Sequence, residues 1–357
     1  MKSRIRPQAR NLVFVEVDRV LLAAPRGFCA GVEMAIKALA WMVRVFDGPV
    51  YCYHEIVHNQ LVVERFKQLG VVFVNEMSEV PAGAPVMLSA HGSAPEVVAA
   101  ARATGGVVVD AVCPLVTKVH HEVRTRAGKG YTVVYVGHAG HDEAIGTMAV
   151  APESVALVQN ADEVAALPDF GQPVALLAQT TLSHDEWSGV QDAVQQRWPE
   201  VWQPGRSDLC FATTNRQTAL RAIAAKSDAV LVVGSANSSN TVALERVAAT
   251  LCDNVYRVNS PDEVPEGLHG VVGVTAGASA PEDLVDAVIA RLNPRHGVEE
   301  VEVTAEDEYF PPPRELRELL RALSAVISWS FGGDPNNWLL GDDRNVTASD
   351  VLESISS

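Results

Sequence analysis

Short apolar runs alternate with polar loops and amphipathic stretches along most of the chain. Residues 20–43, VLLAAPRGFCAGVEMAIKALAWMV, are typical, with a strand-like start at residues 20–23 and helical spacing from Val32 onward. The same order recurs in GVVVDAVCPLVTKVHHEVRTRA, PVMLSAHGSAPEVVAAAR, YTVVYVGHAGHDEAIGTM, VALLAQTTLSHDEWSGVQDAV, AVLVVGSANSSNTVALERVA and GVVGVTAGASAPEDLVDAVIARL. Strands that are apolar on both faces and alternate with helices are typical of parallel sheets covered on both sides. The pattern therefore predicts an α/β fold.

The number of these units exceeds what one ordinary sheet holds, so we expect two or three small α/β domains. In such sheets ligands bind at the carboxyl ends of the strands, where the polar loops lie. The pattern stops after Leu292 and is followed by VEEVEVTAED, three prolines, a predicted helix RELRELLRAL and a polar end. We expect residues 330–357 to be weakly ordered.

Composition and charge limit the kinds of partner that the chain is expected to bind. At 48% hydrophobic residues, the chain of 357 residues can bury a sizeable core. Residues 299–357 carry 13 acidic and 4 basic side chains, so more than half of the net charge of −16 belongs to the C-terminal end. Nucleic acid is excluded as a partner because it requires a basic face. A small anionic ligand remains possible, because it needs only a few local hydrogen-bond donors.

No stretch of 18 uninterrupted apolar residues is present, so we expect no membrane span. The basic N-terminus resembles the start of a signal peptide, but Glu16, Asp18 and Arg19 interrupt the apolar region that would have to follow. We therefore expect a cytoplasmic protein.

Three of the five cysteines share one context. Cys29, Cys113 and Cys210 each follow a strand or turn and precede a predicted helix, whose N-terminus should stabilise a thiolate and lower its pKa. Cys52 and Cys252 lack this context and are assigned to packing. Soft thiolates select zinc or an iron–sulfur group, and three protein ligands would leave one position open for a substrate.

Histidines and one glutamate occupy several of the polar loops. They lie in HEIVHN (His54, His58), SAHG (His91) and GHAGHDE (His138, His141, Glu143). HEIVH resembles a zinc-protease motif, but the strand-like VYCY precedes it and no third ligand follows at the required spacing. Glu143, next to His141, is the best acidic candidate for proton transfer.

Hydroxyl-rich loops QTTLS, NSSNT and AGASAP each precede a predicted helix. N-capping accounts for part of this pattern, but a cap needs one hydroxyl and NSSNT offers five polar side chains in succession. Helix starts lined with hydroxyls, amides and histidines are typical of phosphate or diphosphate sites. No GxxxxGK[ST] loop is present, which argues against nucleoside triphosphate hydrolysis.

Taken in order, these segments resemble the 4-hydroxy-3-methylbut-2-enyl diphosphate reductase family of the non-mevalonate isoprenoid route. The resemblance covers about residues 20–320 and rests on PRGFCAGV, HEIVHNQLVV, SAHG, DAVCPLVTKVH, GHAGHDE, QTTLS, CFATTNRQ, GSANSSN and TAGASAP.

The resemblance implies a trefoil of three small α/β domains around a central [4Fe–4S] cluster held by Cys29, Cys113 and Cys210. Its diphosphate-binding positions match His58, His91, His141, Ser238, Ser239, Asn240 and Ser279. Its proton-delivering positions match Glu143 and Thr180. The implied reaction is a two-electron, two-proton loss of water that yields isopentenyl and dimethylallyl diphosphates, with electrons from ferredoxin or flavodoxin.

The implied domains are residues 31–113, 114–209 and 210–300, the last together with the strand at 17–30, followed by a C-terminal arm and weakly ordered tail at 301–357. This chain departs from the family pattern at Ala24, Ala236 and Thr241, where asparagine, lysine and serine are usual, and it is longer at both ends. Two alternatives stay open: a [4Fe–4S] lyase or dehydratase on the same plan, and a non-enzymatic iron–sulfur sensor. Ferredoxin-dependent turnover would distinguish the reductase from the first, and a dispensable Glu143 would favour the second.

Overall fold

Strands and helices alternate through the computed structural model, which describes residues 16–331 and 343–356. The strands are β1 (Val17–Ala24), β2 (Tyr51–Tyr53), β3 (Val72–Val74), β4 (Val86–Leu88), β5 (Val108–Asp110), β6 (Thr132–Val136), β7 (Val155–Val158), β8 (Val174–Ala178), β9 (Ala229–Val233), β10 (Val255–Val258), β11 (Gly270–Ala276) and β12 (Val298–Glu302). The α-helices are α1 (Ala30–Val45), α2 (Gln60–Gln68), α3 (Pro95–Ala103), α4 (Pro114–Ala127), α5 (Asp142–Ala149), α6 (Ala161–Ala166), α7 (His184–Arg197), α8 (Phe211–Ala224), α9 (Ser239–Ala249), α10 (Glu282–Leu292), α11 (Arg314–Phe331) and α12 (Ala348–Ser356).

The described strands form three separate sheets in which every pairing is parallel. A five-stranded sheet has the order β10-β9-β11-β1-β12, a four-stranded sheet β3-β2-β4-β5, and a three-stranded sheet β7-β6-β8. The first strand of the chain thus pairs with strands near its C-terminal end. The predicted α/β class is confirmed.

Burial explains why these runs form strands. Every residue of β8 and of β9 is buried, because helices cover both faces of these sheets. Valine, leucine and alanine dominate both strands, so the hydrophobic effect favours their positions at the centre of a layered fold. The polar loops are left at the carboxyl ends of the strands.

Three helices begin directly after the three singled-out cysteines. Cys29, Cys113 and Cys210 are the N-cap residues of α1, α4 and α8, and Pro114 occupies the first turn of α4, where its missing N–H leaves no bond unmade. The predicted helix starts are confirmed. Residues 54–58, the HEIVH segment, are not helical, which removes the zinc-protease alternative.

The C-terminal end differs from the prediction of a weakly ordered tail over residues 330–357. Residues 348–356 form α12, and its side chains at Ala348, Val351 and Leu352 are buried in a core shared with α1 and α11. The backbone amide of Ala348 donates to the Glu33 carboxylate of α1 at 2.6 Å. The prediction is wrong for this segment because apolar residues at helical spacing find a partner in α1. The polar residues 332–335 lie outside the described part of the chain.

The domain boundaries at residues 113/114, 209/210 and 300/301 stay a prediction. None of the helices in the described residues combines the length and apolar character that crossing a membrane requires.

Candidate active site

Loops from the strand ends of all three sheets line one cavity. Cys29 follows β1, Cys113 follows β5 and Thr180 follows β8, so each sheet contributes at the carboxyl ends of its strands. The cavity wall includes every site residue predicted from the sequence, namely Cys29, Cys113, Cys210, His58, His91, His141, Glu143, Thr180, Ser238, Ser239, Asn240 and Ser279.

The three cysteine thiols face one end of this cavity. Gly31 lies between two of them: a Cβ built on Gly31 would stand 2.9 Å from Cys113 Sγ and 3.9 Å from Cys29 Sγ. Any side chain at this position would therefore occupy the space beside the sulfurs. Cys52 and Cys252 are buried elsewhere, in separate apolar clusters, as predicted.

The free thiols are harder to ionise than the sequence suggests. Burial raises the pKa of Cys210 to about 12 and raises the pKa of Cys113 well above its usual range, and the adjacent Cys29 thiol adds to both shifts. The backbone amides of Leu115 and Val116 lower the pKa of Cys113, as expected at a helix start, but burial outweighs them. The predicted lowering of the pKa is therefore wrong for the free thiols of Cys113 and Cys210.

Three imidazoles pack together in the wall of the same cavity. The rings of His58 and His91 stack with centroids 3.7 Å apart and planes at 11°, and His141 stands edge-on to His58 at 5.2 Å. Burial lowers the pKa of His141 to about 4 and lowers that of His91 well below its usual value, so both are neutral near pH 7. His141 Nδ1 accepts the Glu143 backbone N–H at 3.1 Å, which leaves the ring proton on Nε2 as a donor.

One ring atom among these makes no hydrogen bond in the described structure. His91 Nδ1 is buried and makes no hydrogen bond. An unpaired polar atom in a cavity wall costs free energy unless a ligand or water satisfies it.

Glu143 is the acidic group of the cavity. Its side chain is 2% exposed, and its Oε1 and Oε2 accept the backbone N–H and the hydroxyl of Thr180 at 2.7 and 2.9 Å. Burial raises the pKa of Glu143 to about 7, although the two bonds from Thr180 lower it. At neutral pH the carboxyl group is therefore divided between its protonated and ionised forms.

The hydroxyl and amide residues serve partly as structural bridges. Ser238 Oγ accepts the Thr241 backbone N–H at 3.4 Å and so caps α9. Asn240 Oδ1 accepts the Ala278 N–H at 2.8 Å, and Ser279 Oγ donates to the His58 carbonyl at 2.9 Å. The Ser279 bond joins loops of the five- and four-stranded sheets at the cavity wall, and the Asn240 bond joins α9 to the loop after β11.

Comparison with known proteins identifies the family. The profile of the family described as "LytB protein" matches residues 20–293, well over half of the chain. The chain belongs to the LytB family. Its curated relatives include 4-hydroxy-3-methylbut-2-enyl diphosphate reductase 2 of Mycobacterium bovis, 46% identical over 322 residues that cover 87% of this chain and 97% of the relative. The reductase of Rhodopirellula baltica is 44% identical over 305 residues, 84% of this chain and 96% of the relative.

Solved structures give the same family. The E-1-hydroxy-2-methyl-but-2-enyl-4-diphosphate reductase of Plasmodium falciparum matches with a TM-score of 0.83 at 29% identity, over 86% of this chain and 99% of that one. A second solved reductase, described as the terminal enzyme of the non-mevalonate pathway, matches with a TM-score of 0.58 at 32% identity, over 78% and 99%. The α/β trefoil predicted for this LytB-family chain is confirmed.

The LytB family depends on an iron–sulfur group, and the cysteine end of the cavity fits one. Three thiols line it, helix-start amides face two of them, and Gly31 leaves open the space that a Cβ would fill. Thiolates with amide donors are the usual ligands of iron–sulfur groups. Buried thiols with raised pKa values would ionise readily only beside such a positive centre.

Sequence reasoning missed several polar residues of this LytB-family site. Asp142 Oδ1 bonds His54 Nδ1 at 2.9 Å, and its Oδ2 lies 3.9 Å from His58 Nε2. Gln179 is fully buried; its Oε1 accepts the His138 N–H at 2.8 Å and its Nε2 donates to Thr181 at 2.9 Å. Asp142 lies in GHAGHDE and Gln179 in QTTLS, so each is adjacent in sequence to a predicted site residue. This adjacency was the one signal in the sequence that could have identified them.

Proposed function

We propose that this chain is a 4-hydroxy-3-methylbut-2-enyl diphosphate reductase. The reaction consumes the allylic alcohol, two electrons and two protons, and releases water with isopentenyl or dimethylallyl diphosphate. The observation that carries the proposal is Glu143, a buried carboxyl group with a pKa raised to about 7, in one cavity with three thiols and three imidazoles. A carboxyl that is half protonated at neutral pH suits proton delivery.

Cys29, Cys113 and Cys210 would hold a [4Fe–4S] cluster. Such a cluster, when bound by three protein ligands, supplies electrons singly and leaves one iron open to the hydroxyl oxygen of a substrate. The protein contributes the room beside Gly31 and the amides at the starts of α4 and α8. Cluster type and ligand set are parts of the proposal.

The diphosphate would bind at the wall of His58, His91 and His141, completed by Ser238, Ser239, Asn240 and Ser279. The proton on His141 Nε2 is available to a phosphate oxygen because Nδ1 is already an acceptor. His91 stacks on His58 in the same wall, and its buried Nδ1, which makes no hydrogen bond in the described structure, lies 4.0 Å from Asp142 Oδ2. The N-terminus of α9 adds backbone donors and a favourable dipole.

Glu143 and Thr180 would deliver the proton. With Glu143 ionised, the Thr180 hydroxyl donates to Oε2 at 2.9 Å. With Glu143 protonated, its O–H can donate to the threonine oxygen instead, and the hydroxyl proton is free for the substrate. The pair therefore holds a proton at the edge of the cavity.

A small electron carrier, ferredoxin or flavodoxin, would supply the two electrons.

The five cysteines are unpaired in the structure, and reduced thiols favour a reducing compartment such as the cytoplasm.

Anaerobic turnover of the allylic diphosphate with a chemical reductant tests this function. We expect reductant-dependent formation of the two diphosphate products, whereas a lyase or dehydratase needs no reductant and a sensor forms no product. An iron-loaded protein that leaves the substrate unchanged in the presence of reductant would overturn the proposal.

A further inference from the structure

We propose that Arg216 is a positioning residue that fixes the backbone before Cys29 against the helix that begins after Cys210. The inference rests on the proposed role of these cysteines as cluster ligands. Arg216 belongs to the CFATTNRQ segment, of which only the cysteine has a role in the proposed mechanism.

Arg216 lies on α8 and is fully buried. Its Nε and Nη2 donate to the Gly27 carbonyl at 3.0 and 2.8 Å, and Nη2 also donates to the Phe28 carbonyl at 3.1 Å. Nη1 donates to the Ala212 carbonyl in the first turn of α8 at 3.0 Å. One rigid guanidinium therefore joins the two residues before Cys29 to the start of the Cys210 helix.

The charge of Arg216 is compensated from a different part of the chain. Both carboxylate oxygens of Glu306 lie 3.0 Å from Nη1, and Asn215 Nδ2 donates to Glu306 Oε1 at 2.9 Å. A buried charge destabilises the fold unless it is paired. Glu306 lies beyond the residues matched by the family profile, so the arm after β12 completes this contact.

The backbone before Cys29 needs an external anchor. Gly27 has a φ of +63°, and a Cβ there would stand 3.3 Å from the Ala280 carbonyl. The Cys29 side chain makes no capping bond to α1. The segment is held by the end of β11 and its following loop on one side, through Gly27 N–H to Ala276 and Cys29 N–H to Ala278, and by Arg216 on the other.

A second junction is built in the same way. Lys118 lies on α4, the helix that begins after Cys113, and its ammonium donates to the segment before Cys210. The acceptors are the Arg206 carbonyl at 3.1 Å, the Ser207 carbonyl at 3.2 Å and the Asp208 carboxylate at 3.1 Å. At two junctions, a cationic side chain on the helix after one cysteine thus binds the segment that precedes another of the three cysteines.

The test compares Arg216→Gln with Arg221→Gln in the full chain after iron removal by a chelator. Arg221 is the matched control because it lies on the same helix and pairs with Asp185 at the surface at 2.8 Å. The rate at which iodoacetamide alkylates each cysteine is measured by mass spectrometry. We expect alkylation of Cys29 to rise roughly tenfold or more in Arg216→Gln, because hydrogen bonds to a charged group that restrain the loop are lost. Cys113 should stay near the wild-type rate, and Arg221→Gln should change neither.

The iron-loaded protein gives a second readout. Arg216→Gln should release iron to a chelator faster and show a shifted midpoint potential, while KM for the diphosphate stays near wild type because the proposed diphosphate residues are elsewhere. Arg216→Lys should rescue only in part, since an ammonium lacks the planar fork that reaches several carbonyls.

Unchanged alkylation of Cys29 in a folded Arg216→Gln protein would overturn the inference, as would an equal rise at Cys29, Cys113 and the buried Cys52. If Arg216→Gln does not fold, Arg216→Lys, which keeps the charge but lacks the planar fork that reaches both carbonyls, must show a smaller rise that is still selective for Cys29, or the inference fails. Wild-type protein that binds no iron and reduces no substrate would instead refute the proposed function, because alkylation of Cys29 depends on neither.

Discussion

Glu143 occupies a position where ionisation is costly and the proton is close to the cavity. Replacing it with glutamine keeps the shape and the acceptor for Thr180 but removes the acidic proton. We predict that Glu143→Gln lowers kcat by about 10²–10⁴, the range attributed to a positioned general acid, while the substrate still perturbs the cluster spectrum. Thr180→Val should have a smaller effect. Steady-state rates with a chemical reductant measure both, and Glu153→Gln, at an exposed position, is the control.

The raised pKa of Glu143 predicts that kcat depends on pH. Because burial raises the pKa of Glu143 to about 7, the carboxyl is protonated below this pH and loses its proton as the pH rises through it. The kcat of the wild type should therefore fall above about pH 7, and this limb should be absent in Glu143→Gln. A wild-type rate that stays constant through this range, or near-wild-type turnover of the variant, would exclude Glu143 as the acid.

Replacing His91 tests whether the histidine wall of the cavity binds the diphosphate. Loss of a hydrogen bond to a charged group typically costs about 1.5–3 kcal/mol, so His91→Ala should weaken binding of substrate or pyrophosphate by about tenfold to a hundredfold. Calorimetric titration measures the affinity, and His121→Ala, on the exposed face of α4, is the control. Unchanged affinity in both His91→Ala and Asn240→Ala would contradict the assigned pocket.

At the scale of single residues, the sequence predicted which side chains face the cavity, because polar residues at the ends of apolar strands have few other places to lie. It could not predict their partners. The pKa of Cys113 is raised because packing, not the helix start, dominates its surroundings. Gln179 bridges His138 and Thr181 through contacts that only the folded loops create.

Helix starts are the elements that build this site, and Gly31 lies beside two of its sulfurs. We predict that Gly31→Ala leaves the chain folded but gives substoichiometric iron and proportionally low activity, because its Cβ would stand 2.9 Å from Cys113 Sγ. Gly189→Ala is the matched control in α7, with nothing within 4 Å, and should stabilise the protein by about 0.5–1 kcal/mol. Iron analysis and thermal unfolding measure the two effects. Full iron content in Gly31→Ala would show that the space beside this residue is not needed.

The strand–loop–helix pattern predicted most elements, since each strand is an apolar run followed by turn residues. It gave no clear signal for β12, whose sequence VEEVE is largely exposed and forms an edge strand beside β1. It also missed α12, because nine residues are too few to form a stable helix without a partner. The partner, α1, lies some 300 residues away in the chain.

At the scale of the whole molecule, the C-terminal helix is part of the core. Leu352 is fully buried against α1, so Leu352→Ala should lower the free energy of unfolding by about 2–5 kcal/mol. Val346→Ala, at a side chain that is 44% exposed, should change it by less than about 0.5 kcal/mol. Denaturant unfolding of both variants measures this difference. Equal stability of Leu352→Ala and the wild type would mean that α12 does not dock on α1 in solution.

Three sheets meet at one cavity, in which we propose that Cys29, Cys113 and Cys210 hold a [4Fe–4S] cluster with one iron open to substrate. Mössbauer spectroscopy of anaerobically purified protein, with and without the allylic diphosphate, tests it most directly. We predict a four-iron spectrum in which substrate changes one iron site, lost in Cys113→Ser and retained in Cys52→Ser. Zinc in place of iron, a full cluster in Cys113→Ser, or a spectrum that substrate leaves unchanged would contradict the claim.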